Sequence, residues 1–173
     1  MVILITGASH SGKTYLAQRM LEIKKYPYLS IDHLKMGLIR SGQTDLTPED
    51  DEELTDYLWP IVSEIIKTAI ENDQNLIVEG CYVPFNWRRS FEEKYYQNIR
   101  FICLAMTDSY IDMHYYDIQK HANDIESRLD EFAYTRDELK EMNQEYIDGC
   151  RENWEQVTLI DTDFEKTIKG LLE

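Results

Sequence analysis

The chain has little that would tie it to a membrane, to nucleic acid or to an oxidising compartment. No apolar run in its 173 residues approaches the roughly 18 residues that a membrane span needs. It opens straight into a candidate strand, with no basic leader or cleavage-type segment, which sets the expectation of a cytoplasmic protein with no membrane partner. Only three cysteines occur, Cys81, Cys103 and Cys150. They are scattered and lack C-x-x-C spacing, so neither a disulfide framework nor a zinc site is expected. Cys103, inside an apolar run, reads as a small core residue. Cations are scarce: 18 Lys and Arg stand against 33 Asp and Glu, a net charge of −15. A nucleic-acid partner would demand a basic surface. If the chain instead binds a small polyanion, its few cations must be concentrated in one cleft. Repeats, low-complexity tracts and a dividing linker are also missing, so residues 1–173 are expected to form one domain. With 43% hydrophobic residues, that length can bury a full core.

What the sequence does carry is concentrated near its start. Gly7-Ala8-Ser9-His10-Ser11-Gly12-Lys13-Thr14 fits the phosphate-binding pattern G-x-x-x-x-G-K-[ST] at every fixed position. The apolar run Val2-Ile3-Leu4-Ile5-Thr6 precedes it and a helical pattern follows. A strand would thus deliver the chain to a tight loop whose backbone N–H groups converge at a helix N-terminus, where they form a nest for an anion. The glycines let the backbone approach phosphate oxygens and adopt positive φ. Lys13 adds a mobile charge for the β- and γ-phosphates, and Thr14 a hydroxyl that can ligate Mg²⁺. The variable positions Ala8, Ser9, His10 and Ser11 contribute backbone N–H groups.

Further along, Lys13 to Lys25 reads as an amphipathic helix with Leu16, Met20 and Ile23 on its apolar side. Tyr28 to Ile31 is a short strand, ended by Asp32, which can cap a helix over His33 to Ser41. Thr47-Pro48-Glu49-Asp50 reads as the start of a helix to about Asn72, with Leu54, Leu58, Ile61, Ile65 and Ala69 on one face and a kink at Pro60. A strand over Asn75 to Gly80, a loop over Cys81 to Phe85 and a helix over Trp87 to Gln97 follow. Ile99 to Met106 has the continuous apolar character of a strand buried on both faces. Thr107-Asp108-Ser109 caps a helix to about Asp124, Glu126 to Tyr134 is irregular, and Thr135-Arg136-Asp137-Glu138 is a capping box for a helix to about Asn153. Val157 to Asp161 makes a fifth strand, and a short helix carries Phe164, Ile168 and Leu171. Strands alternating with helices predict an α/β fold, a five-stranded parallel sheet with helices on both faces. Ligands in such sheets bind beyond the carboxyl ends of the strands, which directs attention to the loop after Thr6, Asp32, Glu79-Gly80, Thr107-Asp108 and Asp161-Thr162.

Taken together, this loop, Asp32 and Glu79 resemble the small P-loop kinases: the adenylate, shikimate and gluconate kinase group, with chloramphenicol phosphotransferase and the zeta-toxin kinases. The resemblance spans essentially the whole chain in length and strand succession. It implies the P-loop NTPase fold, a sheet order of 2-3-1-4-5, and a helical lid between strands 4 and 5, at about residues 108–153. It also implies transfer of the γ-phosphoryl group of ATP, with Mg²⁺, to a small-molecule acceptor. Asp32 matches the acid that contacts the acceptor hydroxyl, although a carboxylate there could also serve as a helix cap. Glu79 matches the acid ending the third strand that supports Mg²⁺, and an ordinary structural hydrogen bond is its other reading. Gly80 would let the backbone approach the acceptor. Lys35, three residues past Asp32, resembles an acceptor-side cation, with Arg40 about a turn further on. Arg88 and Arg89 are either acceptor-side cations or an exposed helical face. The closely spaced arginine pair of the family's lid is missing, leaving Lys120, Arg128 and Arg136, of which Arg128 is the candidate catalytic cation. Asp161 and Thr162 would lie beside the adenine. Val83 stands where adenylate kinases carry an arginine, which counts against a nucleoside monophosphate kinase, the alternative within the class. A switch or slow ATPase acting through a partner is the alternative outside it. Monomer and homodimer are both compatible with the sequence.

Overall fold

The computed structural model describes residues 1–121 and 134–173. Its centre is a sheet of five parallel strands: β1 (Val2–Gly7), β2 (Tyr28–Ser30), β3 (Leu76–Glu79), β4 (Ile99–Met106) and β5 (Val157–Ile160), in the order β2-β3-β1-β4-β5. The expected order is therefore the one found. Between the strands run α1 (Lys13–Lys24), α2 (Ile31–Arg40), α3 (Asp51–Glu71), α4 (Glu93–Tyr96), α5 (Asp108–His121) and α6 (Arg136–Glu152), with α7 (Phe164–Leu172) closing the order.

Alternation along β1 explains the layers. Successive side chains of a strand point to opposite faces. Val2 and Leu4 join the apolar side of α3, Ile31 of α2 and the ring of Trp87 on one face, while Ile3 and Ile5 pack with Leu16, Ala17 and Met20 of α1 and Ile168 of α7 on the other. All four of these β1 side chains are buried, as a central strand covered on both faces requires. A third cluster, Met106, Tyr110, Ile111, Leu139 and Ile160, fastens α5 and α6 to the carboxyl ends of β4 and β5.

Several local expectations shift for identifiable reasons. Ser30, and not Asp32, caps α2: its hydroxyl accepts from the His33 N–H at 3.4 Å, which leaves Asp32 inside the first helical turn. The third helix begins at Asp51, four residues beyond Thr47, because the Asp50 carboxylate accepts from both the N–H and the hydroxyl of Thr47 (2.7 and 3.0 Å) and holds 47–50 as a separate turn. Those two donors also hold the Asp50 carboxyl below its usual range. Within α3 the buried face runs through Leu54, Leu58, Trp59, Val62, Ile66 and Ala69, with Ile61 and Ile65 only partly covered. The helix expected over 87–97 is broken. A 3-10 turn spans Trp87–Ser90, Phe91 is extended (φ −127°, ψ 137°), and only Glu93–Tyr96 is α-helical. Phe91 leaves the helical path to pack edge-on against both Trp59 and Trp87. Ile23, in the last turn of α1, is exposed. The Thr135–Glu138 capping box forms as expected, with both reciprocal bonds present.

One polar side chain deep in the fold ties the second half together. Asn143 of α6 is fully buried, accepts from the Met106 N–H at 2.6 Å and donates to the Leu139 carbonyl at 2.7 Å. It satisfies the last backbone donor of β4 where no neighbouring strand does. Asn143→Ala orphans that N–H, and a loss of about 1–3 kcal/mol is expected, read as a lower denaturant midpoint with an unchanged slope. An unchanged midpoint would show that the bond contributes nothing net.

Candidate active site

The register of the sheet brings the chemistry-bearing residues to one edge. Ile5 and Ser30 are both paired with Glu79, and Gly7 with Leu104, so the carboxyl ends of β1, β2 and β3 finish side by side. The segments that follow them, 7–14, 31–35 and 80–82, therefore surround one cleft.

The phosphate loop is held by close contacts that only glycine permits. Gly7 has φ 146°, and a Cβ there would lie 2.1 Å from the Leu104 carbonyl oxygen. Gly12 has φ 89°, and a Cβ there would stand 2.6 Å from the Phe164 ring. His10 also adopts positive φ, 62°, and its ring meets that of Tyr134 edge-on at 5.6 Å. Inside the loop the Ala8 carbonyl accepts from the Ser11 N–H at 3.2 Å and from Lys13 Nζ at 2.9 Å. Lys13 is only 8% exposed. The Ser11 hydroxyl is buried with no hydrogen-bond partner among the described residues. Positive-φ backbone, an inward lysine and an unsatisfied hydroxyl at a helix N-terminus make a concave anion nest.

Beneath the loop, Glu79 is 1% exposed. The Thr14 hydroxyl donates to its Oε1 at 3.2 Å and the Tyr28 hydroxyl to its Oε2 at 2.8 Å. A carboxylate this deep requires such partners. The pair of oxygens from Thr14 and Glu79 is a hard donor set that fits Mg²⁺, which keeps few protein ligands and completes its shell with phosphate and water. No group of three or more His, Cys, Asp or Glu side chains that could hold a metal ion is present among the described residues.

Across the cleft, Asp32 forms an ion pair with Lys35 at 2.9 Å. Lys35 Nζ also donates to the Tyr82 hydroxyl at 2.8 Å, and that hydroxyl donates to Asp51 Oδ1 at 2.9 Å. A chain of four polar groups thus runs from Asp32 to the start of α3. Burial, followed by its neighbours Cys81, Asp51 and Asp32, raises the Tyr82 hydroxyl far above its ordinary pKa, so it acts as a neutral bridge. Cys81 sits within electrostatic reach of Lys13, Asp32, Lys35 and Asp51, and burial pushes its thiol up to about 11. It is a marker of where the two sides of the cleft converge and not a nucleophile. Gly80 is buried against Ile31, where a Cβ would lie 2.7 Å from that residue's own.

Comparison with known proteins addresses the fold. No family model matches the sequence, and no curated protein matches it. Among solved structures, the chain is similar to a gluconokinase from Sinorhizobium meliloti 1021 (13% identity, TM-score 0.54, covering 99% of this chain and 89% of that one). It is also similar to a sugar kinase from Janibacter sp. HTCC2649 (16%, 0.59, 99% and 91%) and to a deoxyadenosine kinase from M. mycoides with bound dATP (15%, 0.57, 99% and 97%). The chain has the fold of the small P-loop kinases.

In that fold the remaining expected residues fall into four groups. Asp161 accepts from Thr107 and Ser109 hydroxyls at 3.0 and 3.4 Å, Thr162 is exposed, and the contact of Phe164 with Gly12 keeps this segment beside the phosphate loop. Arg40 is exposed at the end of α2. Arg88 is held by Glu155 through two bonds and lies over the rings of Trp87 and Tyr96. Arg136 is stacked on Tyr115 and Tyr116, and Arg128 lies outside the described residues. Tyr28, Asp51, Tyr82 and Tyr146 were not legible as site residues, since no motif marks them. A cavity of about 680 Å³ borders the phosphate loop at Ser9 and is lined by the turn after β3, the start of α3 and one side of α6. A larger groove of about 850 Å³, around Lys25, Pro27 and Leu76, opens at the amino ends of the strands, the wrong end for ligands in a parallel sheet.

The raised Cys81 thiol gives a direct check on the convergence of the cleft. Peptide-mapped alkylation by iodoacetamide at pH 8 is expected to be on the order of a hundredfold slower at Cys81 than at an unperturbed cysteine, rising about tenfold per pH unit towards pH 11. Labelling that levels off near pH 8.5 would contradict the burial described.

Proposed function

We propose that this chain is a kinase that transfers the γ-phosphoryl group of ATP, with Mg²⁺, to a hydroxyl of a small-molecule acceptor. The observation that carries this is the meeting of an anion nest, with its buried Lys13 and its Thr14–Glu79 oxygen pair, and a second cavity that shares Ser9 with it. A nest alone would suit any nucleotide-binding protein. A separate chamber beside the phosphate end suits a second substrate.

Each residue then has a role in positioning and charge neutralisation. The backbone of residues 7–14 receives the phosphates, and Lys13 follows the charge of the transferring group. Mg²⁺ held at Thr14 and Glu79 would neutralise charge on the β- and γ-phosphate oxygens. Asp32 orients the acceptor hydroxyl and takes its proton, and Lys35 fixes Asp32 through their ion pair. Gly80, packed against Ile31, has no part in holding the acceptor, and Arg40 stands at the outer end of α2. Asp161 and Thr162 flank the base, and Arg128 supplies the lid cation. Arg88, already bound by Glu155, has no part in holding the acceptor.

The test is ADP release from Mg-ATP across a panel of small acceptors, with nucleotide binding measured in parallel. Lys13→Ala is expected to lower kcat/KM about a hundredfold or more, and Asp32→Asn to remove about 10²–10⁴-fold of acceptor-stimulated turnover while leaving ATP affinity intact. If Asp32→Asn turns over like the parent protein and no acceptor stimulates either, the chain is an ATP-binding switch or slow ATPase instead.

A further inference from the structure

The cavity beside Ser9 has a consistent chemistry that the fold does not dictate. Four carboxylates line it, Asp51, Glu52 and Asp56 from the first two turns of α3 and Glu145 from α6, and no lysine or arginine is among its lining residues. Two cations near it are paired: Lys35 with Asp32 and the Tyr82 hydroxyl, and Arg88 with Glu155. An acceptor carrying a carboxylate or phosphate would enter this chamber against four like charges, next to the polyanionic phosphates of ATP, with no lysine or arginine among the described residues of the wall to neutralise it.

Three rings, Tyr82, Phe85 and Tyr146, stand in the rest of the wall beside Val83, Pro84 and Met142. Phe85 and Tyr146 meet edge-on at 5.4 Å. Phe85 is seated against α6 at Gly149, where a Cβ would lie 2.4 Å from its ring, and the Tyr146 hydroxyl is anchored to the Cys81 carbonyl at 3.1 Å. The third ring, Tyr82, already carries a cation, with Lys35 Nζ 4.8 Å from its centroid. Aromatic rings and carboxylates in one wall favour ammonium and guanidinium groups, through the ring quadrupole and the full charges together.

Resting on the kinase function proposed above, we propose that the acceptor is a hydroxylated organic cation: an amino alcohol, amino sugar or aminocyclitol whose ammonium group sits among Asp51, Glu52, Asp56 and Glu145. The hydroxyl oxygen forms a bond to the γ-phosphorus as the bond from that phosphorus to the β–γ bridging oxygen breaks. The electron pair of the broken bond leaves with ADP, and the hydroxyl proton passes to the Asp32 carboxylate. Positive charge on the acceptor offsets the cavity's carboxylates and attracts it to a protein of net charge −15.

The experiment uses the full chain and two sets of acceptors matched in size and differing in charge: glucosamine, glucose and gluconate, then 2-deoxystreptamine, myo-inositol and shikimate. ADP release is followed for each, and Mg-ATP affinity is measured separately. The expected result is stimulation by the amine of each set, with at least tenfold lower kcat/KM for its neutral and anionic partners. Glu52→Gln/Asp56→Asn/Glu145→Gln is expected to raise the KM for the amine at least tenfold without altering the KM for ATP. A purely structural role for these acids would leave both unchanged, and that result overturns the proposal. Preference for gluconate, shikimate or a neutral member also overturns it, while leaving the kinase function standing. Stimulation by no member in a protein that still binds Mg-ATP overturns it too, whereas loss of Mg-ATP binding itself would strike at the kinase function on which it rests.

Discussion

Everything at the carboxyl edge of the sheet depends on how closely β1 passes β4 at Gly7. The backbone there runs so near Leu104 that a Cβ has no room, and the Ala8 N–H immediately continues the contact by donating to the Leu104 carbonyl at 3.2 Å. Five residues on, Gly12 is pressed against Phe164 at the start of α7. The phosphate loop is thereby clamped at both ends by elements distant in sequence. A clamped loop is ordered before any anion arrives, so little conformational entropy remains to be lost on binding.

The opposite side of the cleft is built on a different principle. Where the side proposed for the nucleotide is backbone held by sterics, the side proposed for the acceptor is side chains held by hydrogen bonds: Asp32, Lys35, Tyr82 and Asp51 in series, with Tyr146 bracing Cys81. Such a chain can be re-specified by a few substitutions without disturbing the sheet. A phosphate-binding fold serves different acceptors in this way, with one side constant in shape and the other free to change in charge.

That division also explains what the sequence could and could not reveal. The phosphate loop, the apolar strands and the Thr135 capping box depend on residues within a few positions of one another, and all were readable. Even the strand order followed once the loop and its neighbouring acids pointed to a family. The side proposed for the acceptor was not readable because its bonds join residues far apart: 47 positions for Lys35 and Tyr82, 31 for Tyr82 and Asp51, 65 for Tyr146 and Cys81. Local signals also misled where a tertiary contact won. Phe91 abandons a helical pattern to reach two tryptophans, and Asp50 draws Thr47 out of the helix it resembled a cap for. Arg88 looked available for an acceptor until Glu155, 67 residues away, proved to hold it.

The central claim is that the clamped loop is a phosphate nest and that binding is carried by the phosphate chain. Calorimetric titration with AMP, ADP and ATP in the presence of Mg²⁺ tests it most directly. The account predicts affinity rising steeply with each added phosphate, with AMP at least about a hundredfold weaker than ATP and the difference reduced in Lys13→Ala. Equal affinity for the three nucleotides, or a preference for AMP, would contradict it.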